Sequence, residues 1–65
     1  MSKIGLRAAR ANAGLTLEEV GKVIGKSAYT IAKYEKGESV PKWDVFNKLC
    51  NLYGFNVDDI FLPEQ

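Results

Sequence analysis

Two helix signals in this chain stand only three residues apart, and that spacing restricts the fold more than any other feature. Thr16-Leu17-Glu18-Glu19 has the form of a capping box. The Thr16 hydroxyl can accept from the Glu19 amide while the Glu19 carboxylate reaches back. A helix over Leu17–Ile24 follows, with Val20 and Ile24 one turn apart on its buried side and Gly25 as its stop. Ser27 is the next cap, opening a helix over about residues 28–35 in which Ile31 and Tyr34 point inward. Gly37 supplies the left-handed residue that ends it. A connection as short as Gly25-Lys26-Ser27 forces the two helices to cross steeply, so the second projects from the body. Gly21, which has no side chain, permits the close approach that such a crossing needs.

Helix signals recur on both sides of this unit, and no strand-like alternation survives. The chain therefore reads as all-α. Ser2 can cap a first helix over about residues 3–13, which Gly14 ends, with Leu6, Ala9 and Ala13 on the inward face. Past the turn Gly37-Glu38-Ser39-Val40-Pro41, a fourth helix spans about residues 42–53 and closes at Gly54. Its stripe is Trp43, Phe46, Leu49 and Cys50. Asn56-Val57-Asp58-Asp59 places a cap and two acids at the start of a short fifth helix ending near Phe61. With 65 residues there is room for one domain, residues 1–65, around a single thin core.

Composition removes several classes of function. There is no His, no paired acid at catalytic spacing and one cysteine, so neither a catalytic constellation nor a metal cluster is expected. Cys50 reads as a small buried core residue. Gly25-Lys26-Ser27 resembles the end of a phosphate-binding loop, but Gly21 stands one residue too close and no strand precedes it. No cofactor, small-molecule ligand or membrane partner is expected. With no signal peptide or long apolar run, the reducing cytoplasm is the expected compartment.

Net charge is only +1, yet its distribution is uneven. Residues 1–42 carry eight Lys and Arg against four Glu, a net +4, whereas residues 43–65 carry one Lys against four acids, a net −3. A basic working face with an acidic back fits this split, as does a merely solvated surface.

From residue 6 to residue 62 the sequence resembles the Cro/repressor-type (xenobiotic-response-element type) helix-turn-helix family of phages and bacteria. The resemblance is carried by Gly14-Leu15-Thr16, Glu18-Glu19-Val20-Gly21, Ile24-Gly25, Ser27, Thr30-Ile31, Lys33-Tyr34-Glu35, Gly37, Pro41 and Asp58-Asp59-Ile60-Phe61-Leu62. It implies a five-helix, lambda-repressor-like domain, commonly dimeric on a palindromic double-stranded DNA operator and regulating transcription. The family's groove-reading positions fall on Ala28, Tyr29 and Lys33, with Thr30 and Ala32 beside them. Lys33 can donate to guanine O6/N7 or to a phosphate, and Tyr29 can offer its hydroxyl or pack on a thymine methyl. Thr16 and Ser27, at helix N-termini, and the flanking Lys26, Lys36 and Lys42 are the expected phosphate contacts.

By the same resemblance Arg10 and Glu35 form a structural ion pair, and the homodimer contact uses Tyr53, Phe55, Val57 and Phe61. Four positions depart from the family pattern. Leu17 replaces a frequent glutamine, leaving only its main-chain amide for DNA; Lys26 replaces an apolar residue; Glu38 and Val40 weaken a turn that is often basic. The salt dependence of binding should therefore be shallow. With no room for a ligand-sensing or protease-cleavable domain, a stand-alone Cro-like regulator is expected, and Leu62-Pro63-Glu64-Gln65 fits a natural end; the alternative is the excised DNA-binding half of a longer protein. The competing reading is a protein-interaction module, such as an antirepressor or antitoxin-type partner, working through the apolar C-terminal third.

Overall fold

The capping box is present in full in the computed structural model, which describes residues 3–63. The Glu19 amide donates to Thr16 Oγ1 at 3.1 Å, and the Thr16 amide donates to Glu19 Oε1 at 2.9 Å. Two first-turn donors that lack intrahelical partners are thereby satisfied, fixing the start of helix α2 at Leu17–Ile24. Gly25 ends it at φ 83°, a left-handed conformation that a side chain would disfavour. Helix α3, Ala28–Lys36, opens on Ser27, whose Oγ accepts from the Thr30 amide at 3.1 Å, and ends at Gly37.

Gly21 serves the turn itself more than the body of α3. A Cβ built there would lie 2.5 Å from the Lys26 carbonyl oxygen and 3.4 Å from the Ala28 nitrogen. The tight connection thus requires that position to be bare. This places the start of α3 almost on α2, as the three-residue spacing demands.

The remaining elements are α1 at Leu6–Asn12, α4 at Trp43–Tyr53, a 3-10 turn at Val57–Asp59, and two short strands, β1 at Ile4–Gly5 and β2 at Ile60–Phe61. The strands pair in parallel, Ile4 with Ile60 and Gly5 with Phe61. Two expectations are corrected by this pairing. The first helix begins at Leu6, not at residue 3, because Ile4 and Gly5 are extended; the proposed Ser2 cap lies outside the described residues. The fifth helix is a single 3-10 turn, because Ile60 must be extended (φ −111°, ψ 127°) to reach β1. Asn56 makes no side-chain cap bond, and the turn closes through the Asp59 amide on the Asn56 carbonyl at 2.9 Å. The architecture is four α-helices with a small clasp of the two chain ends.

The core consists of Leu6, Ala9, Val20, Ile31, Tyr34, Val45, Phe46, Leu49, Cys50, Tyr53 and Ile60. Burying side chains such as Ile31 and Leu49 stabilises the fold by ~1.5–3 kcal/mol each. Ala13 and Trp43 were expected inside and are exposed. Ala13 is the C-cap of α1, past the last residue that faces the bundle. Trp43 sits in the first turn of α4, 65% exposed with its ring beside that of Phe46 (centroids 6.1 Å apart), while Val45 fills the core. Cys50 is fully buried, and burial raises its thiol pKa, which keeps it a packing residue. Among the described residues no helix is long and apolar enough to cross a membrane.

Candidate nucleic-acid interface

Helix α3 is amphipathic in the sense its sequence requires. Ile31 and Tyr34 are buried, whereas Tyr29 on the opposite side is 72% exposed and Lys36 is exposed. Ala28, Thr30, Ala32 and Lys33 are half-buried, flanking the outward face. Residues four apart return to one side of a helix, so Tyr29 and Lys33 adjoin. The Lys33 Nζ lies 5.5 Å from the Tyr29 ring centroid, within cation–π range.

The N-termini of α2 and α3 supply a second group of residues. Thr16, Lys26 and Ser27 are exposed, as is Lys42 at the cap of α4. The Leu17 side chain is half-buried against the core and, being apolar, leaves only the main chain to hydrogen-bond a partner. Thr30 is more committed than its sequence position indicates. Its Oγ1 lies 3.0 Å from Ser27 Oγ, so the two hydroxyls share one hydrogen bond at the start of α3.

The ion pair expected between α1 and α3 is formed. Arg10 Nε donates to Glu35 Oε2 at 2.6 Å, and Nη2 donates to Oε1 at 3.3 Å. Nη1 donates to the Leu15 carbonyl at 3.0 Å, so one guanidinium ties α1 and α3 to the loop before α2. The hydrogen bond to Glu35 raises the Arg10 pKa further, against the opposing effect of burial. The cation at this joint is permanent.

Arg7, Arg10, Leu17, Ala32, Glu35 and Lys36 line one open groove beside α3. Arg7 is the functional candidate that the sequence reading omitted. Its signal was available, because it stands three residues before Arg10 and so shares that face of the helix. With Glu35 neutralised by Arg10, Arg7 and Lys36 leave the groove cationic. The structure thus brings Leu17, Ala32 and Lys36 together, and separately Ser27 with Thr30 and Tyr29 with Lys33.

Helices α2 and α3 are thus joined by a three-residue turn, and α3 shows an exposed aromatic beside a cation. Residues 5–60 match the family model described as a helix-turn-helix domain. The chain belongs to the helix-turn-helix family of transcriptional regulators. This helix-turn-helix chain is 32% identical over 56 residues to an uncharacterized HTH-type transcriptional regulator of Bacillus subtilis (strain 168), covering 86% of the chain and 85% of that protein. It is 36% identical over 56 residues to an uncharacterized HTH-type transcriptional regulator of Methanocaldococcus jannaschii, again covering 86% and 85%. A third such regulator, from Archaeoglobus fulgidus, is 32% identical over 57 residues, covering 88% of the chain and 81% of that protein. No solved structure gives a significant match. The family is one of DNA-binding transcriptional regulators.

One expected contact at the other end of the regulator is corrected. Tyr53 was assigned to a homodimer interface, but its side chain is 5% exposed and belongs to the core. Its hydroxyl has no hydrogen-bond partner among the described residues, and burial, with Glu35 nearby, pushes its pKa up to about 12. Phe55 and Val57 are half-buried, and Phe61 is 48% exposed with its ring over Gly5, where a Cβ would lie 3.3 Å from Cζ.

Proposed function

We propose that the chain is a Cro-like repressor that inserts α3 into the major groove of a palindromic operator as a homodimer. The outward face of α3 carries this reading. Tyr29 stands 72% exposed beside Lys33 on the outer side of a helix whose start is capped by Ser27 and whose C-terminal half is tied to α1 by the Arg10–Glu35 pair. A large exposed aromatic serves no packing role there, and a short helix projecting from a steep crossing fits the major groove. Ala28, Tyr29 and Lys33 form the base-reading surface, with Ala32 and the backbone near Thr30 beside them. Thr16, the Leu17 amide, Lys26, Ser27, Lys36, Lys42 and Arg7 contact phosphate. Leu17, Glu38 and Val40 add no cation to this face, so the salt slope is shallower than a basic turn after α3 would give. Phe61, with Phe55 and Val57, makes the dimer contact. Such a regulator works in the cytoplasm of a bacterial or phage-infected cell.

Selection of bound duplexes from a random pool, followed by a salt-dependent mobility-shift titration, tests the reading. Enrichment of a palindrome, with a discriminating affinity that persists as salt rises, is the expected result. A second reading has its own support in the exposed apolar side chains Val40, Trp43 and Phe61, which suit a protein partner. Absence of any enriched duplex at low salt, together with tight binding to another protein, favours that second reading instead.

A further inference from the structure

The side chains of Tyr29 and Lys33 are coupled to each other before any DNA is present. The Lys33 ammonium sits 5.5 Å from the Tyr29 ring centroid, one helical turn along the same row. Neither residue has a competing engagement that explains the arrangement. Tyr29 is 72% exposed, so its ring is not a core residue. The only salt bridge among the described residues is Arg10–Glu35, so no carboxylate there holds Lys33.

A lysine ammonium is a point charge on a flexible stem. Left free on a groove-reading helix, it meets phosphate oxygens as readily as the O6/N7 edge of guanine, and phosphate contact carries no sequence information. A ring face that attracts the cation restricts where the stem goes. We propose that Tyr29 is a positioning residue for Lys33: its ring holds the ammonium on the base-reading face of α3, so that Lys33 specifies a guanine instead of ranging onto the backbone. Tyr29 then acts on specificity through the face of its ring and not through its hydroxyl. This inference rests on α3 being the base-reading helix.

The test compares selection from a random duplex pool for the native chain and for Tyr29→Phe, Tyr29→Leu, Lys33→Ala and Tyr29→Leu/Lys33→Ala, each checked for an unchanged melting profile. Tyr29→Phe keeps the ring face and should return the native motif. Tyr29→Leu keeps apolar bulk without the ring, and should weaken the base preference by about two- to fivefold at the one position that Lys33→Ala also affects. The double variant should be no less specific there than Lys33→Ala alone, and binding of Tyr29→Leu to random duplex should stay near the native level. Loss at two different positions with additive effects would overturn the inference, since the residues then read DNA independently. A loss with Tyr29→Phe equal to that with Tyr29→Leu would overturn it in favour of the hydroxyl. If the native chain itself enriches no sequence, the reading of α3 fails first and this inference falls with it.

Discussion

Arg10 and Glu35 are joined by two hydrogen bonds, the shorter 2.6 Å, across the gap between α1 and α3. Both side chains are largely sheltered, at 16% and 7% exposure, and Arg10 also holds the Leu15 carbonyl. In such a site the surviving partner of a broken pair is left charged and poorly solvated. Arg10→Ala should therefore cost ~1.5–3 kcal/mol in urea unfolding. An apolar double replacement, Arg10→Met/Glu35→Leu, should cost less than either single change, since no orphaned charge remains. A double variant less stable than both singles would show that the pair contributes more than its own desolvation.

Gly21→Ala tests the tight turn. The added Cβ would meet the Lys26 carbonyl at 2.5 Å, and backbone cannot yield as a flexible side chain does. A loss of ~1–3 kcal/mol is expected, with amide chemical-shift changes concentrated at residues 26–28. An unchanged melting temperature would mean that the connection opens without cost.

These two sites also mark how much the sequence made legible. The capping box at Thr16 and Glu19, the Ser27 cap and the Gly25 and Gly37 stops are local bonds between near neighbours, and each was read correctly to within one residue. The strand pair was not legible, because two residues show no periodicity and the pairing joins opposite ends of the chain. Trp43 continued the helical stripe in sequence, but in the first turn of α4 it is Val45 and Phe46 that enter the core while Trp43 stays 65% exposed. Tyr53 was misassigned although a signal existed, since it follows Phe46, Leu49 and Cys50 at helical spacing and so belongs with them. On α3, the outward positions of Tyr29 and Lys33 were implied by the family resemblance, whereas the shared hydroxyl bond of Ser27 and Thr30 depends on side-chain geometry that no pattern carries.

Tyr53→Phe should be neutral or stabilising by ~1 kcal/mol at neutral pH, because it removes a buried hydroxyl that has no partner. The pH dependence follows from the same burial. The Tyr53 pKa is about 12 in the folded chain against an ordinary 10, so the folded state resists ionisation. Its contribution is whole below pH 10 and is lost as pH rises through the folded value. Compared with Tyr53→Phe, the native chain should lose ~2 kcal/mol of stability between about pH 10 and pH 12. Parallel stability curves for the two proteins over that range would contradict the assignment.

Phe61→Ala separates the fold from the dimer contact. Half of the ring is exposed and the rest lies over Gly5, so the monomer should lose only ~1 kcal/mol. Sedimentation should nonetheless shift from dimer to monomer. Unchanged association with a lowered melting temperature would confine Phe61 to the clasp between β1 and β2.

The central claim is that α3 meets the bases while the chain ends do not. Amide chemical-shift mapping during titration with a selected duplex tests it directly, because each residue reports its own environment. The largest changes should fall on Thr16 and Leu17 and on residues 27–36, with Tyr29 and Lys33 among the foremost. Changes confined to residues 40–61, with α3 silent, would contradict the account.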